Sequence, residues 1–138
     1  MDKVNVLIFV ESRYRINRKR IKSVVEKVIV QNEITSPTEV SVAVVGDRKM
    51  KELSRKYKGE DKTHNVLSFS QTDGTEAKSS SPAINFPRSA EVLQLGDIVI
   101  SFPEVIREAS AEEVLVDDKV DELVEHGLQH LLGIHHEE

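Results

Sequence analysis

At 138 residues with 38% hydrophobic content, the chain is long enough for one core and suits a single domain over 1–138. It contains no cysteine, which excludes disulfides and thiolate metal ligands and fits a reducing compartment. The net charge of −5 hides an uneven division: residues 1–62 carry 15 Lys/Arg against 9 Asp/Glu, and residues 63–138 carry 4 against 15. That asymmetry marks either a polyanion-binding face beside an acidic one or ordinary solvated helix faces. Met1-Asp2-Lys3-Val4 lacks the pattern of a signal peptide, and no apolar run approaches the about 20 residues of a membrane span. The expectation is a cytoplasmic protein without a membrane partner.

The elements follow from periodicity. Residues 3–10 are rich in β-branched side chains and read as a first strand. Asn17 is placed to cap a helix over about 18–32, whose apolar Ile21, Val24, Val25, Val28 and Ile29 recur at helical spacing. Its polar face is basic, with Arg18, Lys19, Arg20 and Lys22. Glu39 to Gly46 reads as a central, largely apolar strand. Asp47 is expected to cap a second basic helix of about 48–58, stopped by Gly59. Asn65 to Ser70 is a short strand, and residues 71–90, full of Gly, Pro, Ser and Thr, read as a long flexible loop. Leu95 to Ser101 is a further strand, and Pro103 suits the first turn of a helix of about 103–110. The last helix, about 116–132, carries a core stripe of Val116, Val120, Leu123, Val124, Leu128 and Leu131, flanked by His126 and His130. The order β-α-β-α-β-(loop)-β-α-α predicts an α/β (α+β) fold: one mixed sheet of about four strands with helices packed on it.

Four of the five histidines fall within residues 126–136. His126 and His130 stand at i and i+4, on one helix face. Gly133 ends the helix, since glycine takes the left-handed position without a Cβ penalty. The returning chain then brings His136 towards the same point. Three imidazoles at this spacing suit one tetrahedral Zn²⁺ with a fourth position open to water, the pattern of a catalytic site. A solvated terminal cluster is the plainer alternative. His135 either replaces His136, points to solvent, or hydrogen-bonds behind the ligands. His64 reads as an ordinary loop residue, Asp97 as a hydrogen-bonding group, and Glu122 and Glu125 as solvated helix face.

A metal-activated water can attack peptides or phosphodiesters. In His-Glu-x-x-His proteases a glutamate base follows the first ligand; here that position is Gly127, and the only methionines are Met1 and Met50, so no Met-turn follows. Proteolysis therefore lacks its base. The phosphodiester reading gains from the basic helices if they flank the site. The scarcity of aromatic residues, 4%, argues against extended base-stacking platforms.

The segment from His126 to His136 resembles the metal motif of the YbeY family of bacterial endoribonucleases, His-Gly-x-Leu-His-Leu-x-Gly-Tyr-Asp-His, with the three histidines, both glycines and Leu131 in common. Gln129, Ile134 and His135 depart from it. Leu95-Gly96-Asp97-Ile98-Val99-Ile100-Ser101 and Val66-Leu67-Ser68-Phe69 match two further family segments. The resemblance implies a zinc-dependent endoribonuclease (one ion) acting on single-stranded RNA, in 16S rRNA 3′-end maturation and ribosome quality control. Its implied partners are rRNA and the ribosome or ribosomal proteins. It also implies a substrate-contacting arginine in a Tyr-Arg pair; the matching pair here is Tyr57-Lys58, and lysine keeps the charge but loses the bidentate fork. The other classes considered are an RNA- or ribosome-binding assembly factor with a mainly structural metal, and a metallopeptidase.

Overall fold

The computed structural model describes residues 4–70 and 92–133. Four strands form one sheet: β1 (Val4–Val10), β2 (Thr38–Val45), β3 (Val66–Ser70) and β4 (Leu93–Ser101), in the order β1-β2-β4-β3. β1, β2 and β4 are parallel, and β3 runs antiparallel to β4 at the edge. The helices are α1 (Arg18–Gln31), α2 (Asp47–Leu53), α3 (Phe102–Glu112) and α4 (Val116–Leu131). The expected mixed sheet and element order are therefore present, with β2 central as read. The loop expected over 71–90 lies outside the described residues, as do His135 and His136.

Side-chain alternation divides the core by sheet face. Val40 and Val42 of β2 and Ile98 and Ile100 of β4 point to one side, where they meet Val25 and Val28 of α1 and Val124 and Leu128 of α4. Val45, Val99, Leu67 and Phe69 point to the other, where Met50 and Leu53 of α2 cover them. Full burial of one such aliphatic side chain contributes about 1.5–3 kcal/mol. α1 and α4 thus lie on one face, and α2 on the opposite face.

One irregularity in β4 controls this division. Glu39 pairs with Gln94 but Val40 pairs with Gly96, so Leu95 is an extra residue in the strand. The bulge resets the alternation, and Leu95 joins Ile98 and Ile100 on the α4 side despite its odd spacing from them. Gly96 has φ +134, and a Cβ there would lie 2.1 Å from the Phe69 carbonyl oxygen. Only glycine fits that approach of β3 to β4.

The basic helices differ from the simple reading. Asn17 caps α1 as expected, accepting from the Arg20 amide at 3.1 Å. Asp47, however, is not a cap. Gly46 holds that position, and the Asp47 carboxylate instead accepts from Ser101 Oγ (3.1 Å) and Arg107 Nη2 (3.2 Å), across more than fifty residues of chain. Nor does one α-helix fill 48–58. After Leu53 the chain widens into a π-helical turn, Ser54–Lys58, which Gly59 ends at φ +67. The buried Ser54 anchors it: its hydroxyl donates to the Glu60 carbonyl at 3.2 Å, and its own carbonyl accepts the Glu60 amide.

α4 also buries a charge that the hydrophobic stripe did not reveal. Lys119 is 3% exposed and faces Glu112 (2.8 Å), Glu122 (3.1 Å) and Glu108 (3.8 Å). Glu108 in turn accepts from Asn65 Nδ2, just before β3, at 3.2 Å. Its hydrogen bond to Glu112, above all, holds the Lys119 ammonium above its ordinary 10.5. A raised folded value adds stability that is complete below the unfolded value and is lost as pH rises through the folded one. Thermal melts should therefore show stability falling above about pH 10.5, and Lys119→Met, which keeps the packing stem, should lack that part of the fall. An identical alkaline profile in the variant would refute the assignment.

Candidate metal centre

α4 is seated on β3 and β4 by a glycine. A Cβ on Gly127 would come 2.9 Å from Ile98 Cγ2 and 3.3 Å from Ser68 Oγ. The Ser68 hydroxyl donates to the Gly127 carbonyl at 3.3 Å, joining the edge strand to the helix beside His126. The position that a protease would fill with a glutamate is thus buried against the sheet. Any side chain there would displace α4.

His126 and His130 are both exposed, one turn apart on α4, with ring centroids 5.7 Å apart and planes inclined at 52°. Gly133 follows with φ +83, and its amide donates to the His130 carbonyl at 3.0 Å. The left-handed glycine after the helix is as the sequence indicates. His136 lies outside the described residues, and among those described no group of three potential ligands forms.

The remaining candidates separate from this pair. Lys58 is exposed at the end of the π-helical turn, and its side chain enters no hydrogen bond or ion pair among the described residues. Its element packs on the sheet face opposite α4, through Tyr57, which meets Phe69 edge-on at 5.3 Å. Asp97, 5% exposed, also points to that opposite face and accepts a short hydrogen bond from Ser41 Oγ. His64 bonds Glu60 at 2.8 Å. Glu122 is exposed but pairs with Lys119, and Glu125 lies 3.5 Å from the Gln129 amide.

α1 does flank α4, yet its charge is partly spent there. Arg20 reaches Asp118 (2.8 Å) and Asp121 (2.5 Å), and these hydrogen bonds hold its guanidinium above its ordinary value. Arg18 donates to the Ile8 carbonyl at 3.1 Å. Two of the helix's cations therefore serve the fold. Sequence reasoning missed the Arg20 clamp, although acidic Asp117, Asp118 and Asp121 at helical spacing were a signal for a basic neighbour.

The sequence model of the family described as endoribonuclease YbeY matches residues 8–138. The chain belongs to the YbeY family. The YbeY endoribonuclease of Rhodospirillum rubrum is 38% identical over 103 residues, which cover 75% of this chain and 48% of that protein. The YbeY endoribonuclease of Syntrophus aciditrophicus is 32% identical over 127 residues, 92% of this chain and 72% of that protein. The chain thus spans about half of the first relative's length and more of the second's. The solution structure of TM1509 from Thermotoga maritima superposes with a TM-score of 0.55 at 26% identity, covering 96% of this chain and 75% of that one. YbeY membership and the observed α+β architecture agree. No described helix is long and apolar enough to cross a membrane.

Proposed function

We propose that the protein is a zinc-dependent endoribonuclease that cleaves single-stranded RNA, acts in 16S rRNA 3′-end maturation and ribosome quality control, and works on the ribosome in the cytoplasm. The observation that carries the reading is the exposed His126–His130 pair on a helix fixed by Gly127, in a chain of the YbeY family. Two imidazoles on one tetrahedral ion, with Zn–N near 2.0–2.1 Å, put their ring centroids roughly 5 Å apart. The 5.7 Å separation suits that requirement with little movement. His136 supplies the third ligand in this proposal.

Zinc bound there supplies Lewis acidity and a water acidic enough to be deprotonated near neutral pH. The chain's own residues do the rest. Gly127 and Ser68 lock α4 to β3, so the histidines move with the sheet rather than with a loop. Lys58 offers an exposed cation for phosphate. A peptidase is disfavoured because Gly127 has no space for a base. The packing of the Lys58-bearing turn on the opposite sheet face, through Tyr57, favours as a second reading an RNA-binding factor whose metal is structural.

Metal analysis and cleavage separate these. The purified protein should contain about one zinc per chain, and chelation should stop cleavage of single-stranded RNA, with zinc restoring it. Cleavage that persists in chelator overturns metal catalysis. A zinc protein that binds RNA but never cleaves it favours the second reading.

A further inference from the structure

The α2 and π-helical segment is strongly basic. Between Asp47 and Lys58 it carries Arg48, Lys49, Lys51, Arg55, Lys56 and Lys58 against only Asp47 and Glu52. On its outer surface lies an open groove of about 570 Å³, lined by Lys49, Glu52, Leu53, Arg55, Lys56 and Tyr57. Its wall combines three chemistries. Leu53 is apolar and nearly buried. The Tyr57 ring is held in place by Phe69 and lies under the Lys56 ammonium, 5.4 Å from the ring centroid. Lys49 reaches Glu52 only loosely, at 3.8 Å, with both side chains more than half exposed. Arg55, by contrast, is committed to Asp61 at 2.8 Å and keeps that carboxyl below the usual carboxylate range.

We infer that this groove is a second RNA subsite, which takes one nucleotide of a single strand with its base against Tyr57 and its phosphates against Lys49 and Lys56. The inference rests on the RNA-cleaving reading above. An aromatic face with flanking cations is the sequence-tolerant way to hold a single-stranded nucleotide. The excess of cations over carboxylates selects a polyanion over a peptide. The π-helical turn contributes by carrying Tyr57 onto Phe69, so the ring is rigid before the base arrives. Because this element and α4 occupy opposite faces, a strand that engages both must pass around the edge strand β3. Short oligonucleotides reach the histidines alone, and longer ones reach both.

The test uses the full chain with labelled single-stranded RNAs of about 4 and about 12 nucleotides, titrated on ice, with intact RNA verified by gel. Lys49→Gln/Lys56→Gln should weaken 12-mer binding about tenfold and lower the salt slope by about 0.7 for each lost phosphate contact, while 4-mer binding and cleavage stay unchanged. Both lysines are exposed, so melting temperatures should match the parent's. In a Tyr14→Phe background Tyr57 is the only tyrosine, and the chain has no tryptophan, so the 12-mer should quench tyrosine emission. Unchanged 12-mer affinity and slope, or an equal loss for both lengths, overturns the subsite, and absent quenching overturns the stacked base. A parent protein that binds neither RNA overturns the RNA-cleaving reading itself.

Discussion

His130→Ala should abolish zinc binding and lower cleavage of single-stranded RNA by about 100-fold or more. Loss of a group that merely orients a ligand already costs about 10–100-fold, and a direct ligand costs more. The fold should survive. His130 is exposed on the last turn of α4, outside the stripe formed by Val124, Leu128 and Leu131. Alanine is also a better helix former than histidine by several tenths of a kcal/mol. The metal-free variant should therefore melt no lower than the metal-free parent. Zinc stoichiometry, cleavage rate and melting temperature together check this. A variant that keeps its zinc shows that the pair is not the metal's anchor, and a variant that unfolds shows that the histidine serves the structure.

The second large effect concerns stability. Gly96→Ala should cost about 4 kcal/mol or more, or prevent folding, because two penalties add. At φ +134 an L side chain is strained by about 1–3 kcal/mol. The new carbon would also overlap the Phe69 carbonyl at 2.1 Å, and that atom belongs to backbone, which yields only if β3 leaves β4. Gly133→Ala is the control. Its φ of +83 carries strain, but nothing among the described residues lies within 4 Å, so the cost should stay near 1 kcal/mol. Urea denaturation of both variants compares the two. Similar costs would mean that the bulge relaxes easily and does not control the β3–β4 junction.

Most of the architecture was legible because it is local. Helical spacing at Ile21, Val25 and Val28, and at Val120, Val124 and Leu128, found α1 and α4, and Asn17 and Gly133 marked ends that the structure retains. What escaped depends on distant partners. Asp47 looks like a cap by position, yet Ser101 and Arg107 claim its carboxylate. Lys119 interrupts an apolar stripe and reads as surface until α3 brings its glutamates over it. The π-helical turn has the composition of an ordinary helix, and its widening shows only in three dimensions, where the Gly59 amide reaches back five residues to the Ser54 carbonyl. At the candidate site, the His126–His130 pair was readable from spacing. Gly127 was readable as the absence of a base, but its contact with Ile98 required the sheet.

The Arg18 hydrogen bond to Ile8 bears on how the molecule behaves in a crowd. Among the described residues β1 is an edge strand and Phe9 is 61% exposed; Glu11 donates inward to Val44, so by alternation the backbone groups of Ile8 and Val10 face outward. Such a strip is a template on which another chain can add a strand. Arg18 fills the Ile8 carbonyl and sets a cation on the rim, so an incoming strand must displace a charge before it can zip. The helix that packs over the core thereby also guards the sheet against its own copies.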